Sequence, residues 1–249
     1  MRFFQIKAGW PDPSQVSCPK LPYVLKGIQN SPPRRTRHHR LPITPDHLRV
    51  VYRVWSRDPV SYDKVMLWAA ICVGFFGFLR SGEFTATPTC CSDHVISVSD
   101  ISVDSRSNPQ VVTITLRYSK TDQAGKSICI YLGRTGDILC PVTALMAYLA
   151  VHPQSYGPLF IFKNGAPLSQ HQLIAYLRSA LSQAGCRTLG YSGHSLCIGA
   201  ATTAARMGMS DSLIQTLGRW KSSAFTSYIR NNGVELSQAS AHLSQYSSQ

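Results

Sequence analysis

A run of fifteen uncharged and mostly apolar residues, VMLWAAICVGFFGFL (65–79), sets the first limit on the architecture. A helix needs about 18–20 such residues to cross a bilayer, so this run is too short for a membrane span. It is apolar on nearly every helical face, which is typical of a helix buried on all sides. We therefore expect a core helix from about Ser61 to Phe76, covered by other elements of one large domain.

The charge of the chain favours an anionic partner. It has 249 residues, with 25 Lys and Arg against 12 Asp and Glu, and a net charge of +13. Only 15% of the residues are charged, so the excess arises mainly because acids are scarce. Such a surface favours a polyanion, either nucleic acid or an anionic membrane. A hydrophobic content of 44% argues against wholesale disorder.

The N-terminal residues and the cysteines indicate an intracellular protein. The start MRFFQIKAGW lacks the apolar core and the cleavage site of a secretory signal. The eight cysteines form no CxxC pair, and we expect them to be reduced thiols. The cluster of Cys90, Cys91, Asp93 and His94 matches no standard zinc spacing, so we expect neither a metal nor another cofactor.

Both ends of the chain differ from its middle. Segment 1–43 is basic and rich in proline, which excludes long helices from most of it. Its stretch PRRTRHHR (33–40) is either a solvated linker or a basic arm for nucleic-acid phosphates. The arginines of that arm are Arg34, Arg35, Arg37 and Arg40. The tail 232–249 is polar, with a weak helical pattern.

Residues 44–231 have the pattern of a mainly α domain with a small antiparallel β-sheet, an α+β class. Thr44 and Pro45 mark a helix start, because threonine caps helices and proline suits their first turn. Alternating apolar residues predict strands at about 112–117 and 128–132, and a third at 95–103. Helices are predicted at about 141–151, 169–184 (opened by a Ser169–Gln172 capping box), 195–207 and 211–218, with a short one after Ser222.

Three charged side chains could take part in chemistry. Arg80 is expected at the end of the apolar helix, where its part-buried charge needs a partner, and Glu83 is the nearest carboxylate. Lys120 lies in the loop between the two predicted hairpin strands. There its ammonium is either solvated or carried into a cleft as a proton donor.

Three further candidates lie towards the C-terminus. His194 opens a helix, and Trp220 and Tyr228 lie in LGRWKSSAFTSYIR. Taken singly, each has a structural explanation as a capping or packed histidine or as an ordinary core aromatic. Their order along the chain, together with Arg80, Glu83 and Lys120, is far more specific than any one of them.

The chain resembles the catalytic domain of tyrosine recombinases, or phage-type integrases, in three segments that occur in the same order. These segments are GFFGFLRSGEF, GHSL with IGAATTAA, and LGRW through SYIR. They look most like the branch carried by eukaryotic mobile elements of the DIRS and Crypton kinds. The resemblance covers about residues 42–231. It implies a nuclear protein that acts in DNA recombination and integration, with double-stranded DNA as its partner and a homo-oligomer formed on it.

The resemblance also implies residue roles. Tyr228 would attack a DNA phosphodiester, leaving a 3′-phosphotyrosine and a free 5′-hydroxyl. Because that link conserves the bond energy, neither metal nor nucleotide is needed. Arg80 would hold the phosphate oxygens and Lys120 would protonate the leaving oxygen. The supporting roles would fall to His194 as a general acid/base, Trp220 as an indole donor or brace, and Glu83 as the residue that fixes Arg80.

One position departs from the family motif His-x-x-Arg, because its fourth residue here is Cys197. The family holds the scissile phosphate with two arginines, and this chain supplies one. Loss of one preorganised donor costs about 10²–10³ in rate. Arg206 is expected on the opposite helical face, while Arg187 and Arg219 are loop candidates, the latter within the GRW motif. We expect severely impaired cleavage.

The family's helical DNA-clamp domain normally precedes the catalytic domain, and segment 1–43 is too short for it, with LPYVLKGIQNS (21–31) as a possible remnant. Two functional classes remain open. One is an enzyme that breaks and rejoins DNA in the integration or excision of a mobile element. The other is a catalytically inactive DNA-binding protein that keeps the fold. A type IB topoisomerase shares the chemistry, but the flanking segments match recombinases.

Overall fold

A computed structural model describes residues 23, 24, 26, 27, 40–86, 95–117, 127–154, 156–220, 222–230 and 237. The chain divides into two units, Met1–His39 and Arg40–Gln249. The few described residues of the first unit are helical. All elements discussed below belong to the second unit.

The first two helices begin where the sequence predicts. Helix α1, Pro45–Trp55, follows Thr44 and has proline in its first turn. Helix α2, Tyr62–Phe76, is the expected core helix. The hydroxyl of its N-cap Ser61 accepts a hydrogen bond from a backbone N–H of the first turn. None of the helices in the described part of the chain is long and apolar enough to cross a membrane.

The expectation that Arg80 ends the apolar helix is wrong. Helix α2 stops at Phe76, and Phe78 adopts a left-handed backbone with a φ of 51°. The backbone N–H of Leu79 then donates to Gly74 O at 3.0 Å and closes the turn. Arg80 lies beyond the turn, immediately before the short helix α3, Ser81–Phe84.

A three-stranded antiparallel sheet follows in the order β1–β2–β3: Ile101–Val103, Val111–Leu116 and Ile128–Gly133. Strands β2 and β3 match the predicted hairpin. Ile114 of the central strand pairs with Ile101 on one side and with Ile130 on the other. Its alternate side chains Val112, Ile114 and Leu116 are buried, so one face of the sheet covers the core.

The predicted strand 95–103 is wrong over most of its length, since only its last three residues pair as β1. Val98–Asp100 forms a 3₁₀ turn instead. The Asp100 carboxylate stabilises that turn by accepting the backbone N–H of Ser97 at 2.8 Å and the Nε–H of Arg117 at 2.6 Å. Alternation of apolar residues cannot reveal such a tertiary partner.

The remaining helices lie close to their predicted positions: α4 Pro141–Leu149, α5 Gln170–Gln183, α6 Ser195–Arg206 and α7 Asp211–Gly218. The capping box of α5 is present, because Ser169 Oγ accepts the Gln172 N–H at 3.3 Å. The short segment after Ser222 is a 3₁₀ helix, Ser223–Tyr228. Helix α2 packs against α4 and α6, and α1 packs against α5. The domain is mainly α with a small antiparallel sheet, as predicted.

Helix α6 approaches the residues before α1 at Gly199. A Cβ on Gly199 would lie 1.7 Å from the carbonyl oxygen of Ile43. The Ile43 N–H donates to Ser195 O at 2.9 Å, and the Ile43 side chain is fully buried. This contact joins the start of the domain to the helix that carries Cys197.

We predict that Gly199→Ala strongly destabilises the domain, because the added methyl group would meet backbone that cannot yield like a flexible side chain. Overpacking of this kind costs about 1–3 kcal/mol or more. Urea unfolding measures the loss. Gly136→Ala is the control, since a Cβ there has no neighbour within 4 Å. Equal unfolding midpoints for both variants would contradict the proposed tight contact.

A histidine links the start of α1 to the loop before α6. His47 Nδ1 accepts the backbone N–H of Thr44 at 3.2 Å, so the ring proton is on Nε2. Nε2 lies 2.9 Å from the Tyr191 hydroxyl, to which it donates. Burial lowers the pKa of His47 below its usual 6.5, and the charge of Asp46 opposes that shift. The folded state therefore holds the neutral ring.

Because the folded pKa of His47 is lowered, the unfolded chain binds the proton first. The contribution of His47 to the free energy of unfolding is complete above about pH 6.5 and is lost as the pH falls through the folded pKa. Urea midpoints between pH 7.5 and pH 5 measure the slope. His47→Gln cannot titrate, so its slope should be shallower. Parallel curves for the two proteins would rule out the linkage.

Candidate active site

Arg80 is tied to Glu83 by its backbone and by its side chain. The Arg80 N–H donates to Glu83 Oε2 at 2.9 Å, and its Nη1 donates to Oε1 at 3.2 Å. The Glu83 side chain is 7% exposed and that of Arg80 is 18% exposed. The ion pair that the sequence suggested is present, and it leaves the Arg80 side chain part-exposed.

A second guanidinium binds the same carboxylate. Arg219 Nη2 donates to Glu83 Oε2 at 2.8 Å, and the Arg219 side chain is only 7% exposed. Its Nη1 also donates to Gly77 O at 3.0 Å. Burial lowers the pKa of Arg219; Glu83 opposes that shift and Arg80 adds to it. Arginine still keeps its charge in proteins, so one carboxylate serves two cations.

We call Arg80, Glu83 and Arg219 the ion cluster. Sequence reasoning named Arg219 as a loop candidate for the missing arginine and as a member of the GRW motif, and it did not pair Arg219 with Glu83. The two residues are 136 positions apart, and no local pattern identifies such a pairing. The only available signal was the scarcity of acids, which leaves few partners for any buried arginine.

Cys197 lies on α6 and is 1% exposed. Its thiol donates to His194 O at 3.2 Å. Burial raises the pKa of Cys197 to about 11, while nearby Arg80 lowers it and Glu83 raises it. The thiol is therefore neutral at physiological pH, and it lies close enough to the ion cluster to sense its charges. Arg206 is exposed, as its expected place on the opposite face requires.

His194 is the N-cap residue of α6 and is half-buried. The residue before it, Gly193, contacts the α3 turn closely, because a Cβ there would lie 2.3 Å from Ser81 Oγ. Ser81 directly follows Arg80. The turn that carries His194 therefore packs against the turn that carries Arg80.

Trp220 and Tyr228 form an aromatic pair with ring centroids 5.0 Å apart. Trp220 is buried and also contacts Phe78 edge-on, with the centroids 6.4 Å apart. Tyr228 is half-buried at the end of the 3₁₀ helix. Its carbonyl oxygen accepts the Thr202 hydroxyl of α6 at 3.2 Å. The aromatic pair therefore contacts both α6 and the turn after α2.

Three buried donors near these residues have no hydrogen-bond partner among the described groups: Arg219 Nε, Trp220 Nε1 and Arg230 Nε. An unpaired buried donor costs about 1–3 kcal/mol. All three lie on the C-terminal segment that carries the aromatic pair.

The structure thus brings Arg80, Glu83, Cys197 and His194 together, and it pairs Trp220 with Tyr228. Several other predicted residues lie outside the described residues: Lys120, Arg34, Arg35, Arg37 and the cluster Cys90, Cys91, Asp93 and His94. Arg40 is described and exposed. Among the described residues, no group of three or more His, Cys, Asp and Glu side chains could hold a metal ion.

We predict that Glu83→Gln lowers the free energy of unfolding by about 3–5 kcal/mol, because it leaves buried Arg219 without a countercharge. Urea denaturation followed by circular dichroism measures the change. Asp58→Asn is the control, since Asp58 pairs with Lys64 at the surface with 71% of its side chain exposed. Similar losses for both variants would mean that Glu83 does not hold the ion cluster.

Comparison with protein-family models and with curated proteins finds no match to the sequence. Solved structures do match. XerH recombinase bound to its palindromic difH substrate has 17% identity and a TM-score of 0.61, over 87% of this chain and 57% of that one. XerA recombinase has 18% identity and a TM-score of 0.59, over 100% of this chain and 81% of that one.

A lambda integrase dimer bound to a core site has 16% identity and a TM-score of 0.59, over 93% of this chain and 70% of that one. Of the XerH chain, this chain spans less than two thirds. At such low identities the likeness concerns the fold. That fold is the one of a tyrosine recombinase catalytic domain, as the sequence resemblance implied.

Proposed function

We propose that this chain is a DNA-binding, tyrosine recombinase-like protein whose cleavage chemistry is severely impaired. One observation carries the proposal: a part-exposed arginine held by a buried carboxylate lies beside a neutral cysteine, in a fold shared with site-specific recombinases. The part-exposed arginine held by a buried carboxylate suits a phosphate, whereas the neutral cysteine weakens phosphate binding.

The proposed reaction is a transesterification. Tyr228 Oη attacks the phosphorus of a DNA phosphodiester and forms a 3′-phosphotyrosine bond, while the bond to the 5′-oxygen breaks. His194 takes the phenol proton, and Lys120 donates a proton to the leaving 5′-oxygen. Rejoining reverses these steps. Atoms and bond energy are conserved without water or a nucleotide.

The charges of the ion cluster favour an anion. Two guanidiniums and one carboxylate leave a net charge of +1, and the exposed part of Arg80 is the accessible end. A phosphate oxygen there gains charge-assisted hydrogen bonds. The unpaired indole N–H of buried Trp220 is a further donor beside Tyr228. These features support phosphate binding next to the phenol.

Cys197 supports the proposed impairment. A thiol whose pKa is raised to about 11 contributes no charge and donates only weakly to a phosphate. Its proton already points to His194 O at 3.2 Å. A site that lacks one preorganised donor loses about 10²–10³ in rate, and a missing charge adds to that loss.

The alternative function is a DNA-binding protein that no longer cleaves, and the same buried, neutral Cys197 favours it. The net charge of +13 supports DNA binding under both functions. In both, Arg34, Arg35, Arg37 and Arg40 would contact the DNA backbone. The two functions differ in a single product, a covalent link between protein and DNA.

The partner and the setting belong to the same proposal. XerH and lambda integrase were solved on DNA, and lambda integrase also as a tetramer on a Holliday junction. We extend to this chain double-stranded DNA as its partner and a homo-oligomer assembled on it. A mobile element of the DIRS or Crypton kind as its origin, and the nucleus as its location, rest on the sequence motifs alone.

Covalent trapping on nicked duplexes with random cores tests the proposal. We predict a band on a denaturing gel for Cys197→Arg that exceeds the native protein by about 10²–10³. Adding Tyr228→Phe should abolish it. Cys197→Met is the matched control, because its side chain is also long but has no charge.

Three results would change the assignment. A full-strength band from the native protein would show that Cys197 does not impair the site. A band that survives Tyr228→Phe would exclude Tyr228 as the nucleophile. No band from any variant, with DNA binding that weakens steeply as salt rises, would favour the inactive DNA-binding protein.

A further inference from the structure

We infer that Arg219 is a positioning residue. It holds the turn that leads to Arg80 in a fixed position relative to the segment that carries Trp220 and Tyr228. This inference deepens the proposed function and rests on it. It concerns a buried cation of the GRW motif to which the proposed chemistry assigns no role. It gives Arg219 a task in placing the reacting groups, without any contact with DNA.

The Arg219 side chain binds three acceptors around Arg80, two on the turn before it and one in the short helix after it. Its Nη1 donates to Gly77 O at 3.0 Å, and its Nη2 donates to Phe78 O at 3.4 Å and to Glu83 Oε2 at 2.8 Å. These acceptors lie on both sides of Arg80 in the sequence. A single guanidinium therefore fixes the turn as a unit.

Backbone strain occurs at both ends of this contact. Phe78 has a φ of 51° and Arg219 a φ of 56°, and in the described part of the chain they are the only non-glycine residues with positive φ. Such conformations persist where the surroundings enforce them, and they cluster at functional sites. Here the two strained residues touch through the Arg219 Nη2 to Phe78 O bond.

The next residue carries the contact to the nucleophile. Trp220 follows Arg219 and packs against Phe78 and against Tyr228, with centroid distances of 6.4 Å and 5.0 Å. The dipeptide 219–220 thus touches the Arg80 turn with its first side chain and the tyrosine with its second. A displacement of Arg219 would shift both groups.

The two oxygens of the Glu83 carboxylate accept different donors, which explains why the second cation, Arg219, affects Arg80. Oε1 accepts Arg80 Nη1, while Oε2 accepts the Arg80 N–H and Arg219 Nη2. Without Arg219, Oε2 keeps only the Arg80 N–H and can accept a bond from the Arg80 side chain as well. A bidentate pair would draw the Arg80 guanidinium towards Glu83 and away from an incoming phosphate.

Lysine cannot replace arginine in this role. A guanidinium presents five donors in a rigid planar fork, whereas an ammonium is a compact charge on a flexible stem. Lysine would keep the countercharge for Glu83 but would not span Gly77 O, Phe78 O and the carboxylate together. Arg219→Lys therefore separates the charge of Arg219 from its geometry.

The test uses Arg219→Lys and Arg219→Asn in the Cys197→Arg background, with asparagine chosen because it tolerates a left-handed backbone. Arg57→Asn is the charge-loss control, since Arg57 is exposed in the turn that follows α1. Single-turnover covalent-complex formation gives the rate at saturating DNA, and titration gives DNA affinity. Urea midpoints confirm that each protein is folded under assay conditions.

Both Arg219 variants should lose about 10²-fold in rate, because small misplacements of reacting groups cost that much, with DNA affinity unchanged. Arg57→Asn should keep the rate. Retention of the rate by Arg219→Lys would overturn the inference, since charge alone would then suffice. A loss confined to DNA affinity or to the unfolding midpoint would overturn it as well.

Hydrogen exchange keeps the inference testable if no variant cleaves DNA and the proposed function fails. In folded Arg219→Lys, backbone amides of 77–83 and of Ser223–Tyr228 should exchange about tenfold faster, while α5 stays unchanged. Unchanged exchange at Ser223–Tyr228 would overturn the coupling, whatever the cleavage assay gives.

Discussion

The Glu83 carboxylate is the point on which the geometry of the candidate site depends. It is buried and bonds to two arginines, one before α3 and one at the end of α7. Two cations without that carboxylate would repel each other in a medium that screens charge poorly. With it, the end of α2, the start of α3 and the end of α7 are held together. In a chain with 12 acids, few other carboxylates could serve.

Helix α2 is the platform that makes this burial possible. Its residues are apolar on nearly all faces, so it packs against both α4 and α6 and exposes little of its length. Helix α6 reaches the start of the domain through the Gly199–Ile43 contact. Because both helices are fixed by close packing, the turns at their ends are fixed too, and these turns carry Arg80 and His194. Packing of small and apolar residues thus determines where the charged ones meet.

The sequence predicted those parts of the fold that local chemistry controls. Thr44 and Ser169 were predicted to cap helices, and each does precede a helix. Prediction from the sequence failed where a partner far along the chain determines the local structure. Asp100 favours a 3₁₀ turn over a strand because Arg117 and Ser97 bind its carboxylate. The same limit applies to the candidate site. The order of the motifs indicated that Arg80 pairs with Glu83, but no local pattern indicated that Arg219, far along the chain, binds the same carboxylate.

Cys197 shows how charge and stability oppose each other at this site. It is buried beside the ion cluster, which already has a net charge of +1. An arginine at its position would raise that to +2 in the free protein, and burial of an unpaired cation is costly. In the proposed function, the negative charge that such a site lacks would come from a DNA phosphate. A neutral thiol removes the repulsion and leaves the fold intact without DNA. In the proposed function, cysteine at this position weakens transition-state binding, and the same neutral thiol spares the free protein a further buried cation.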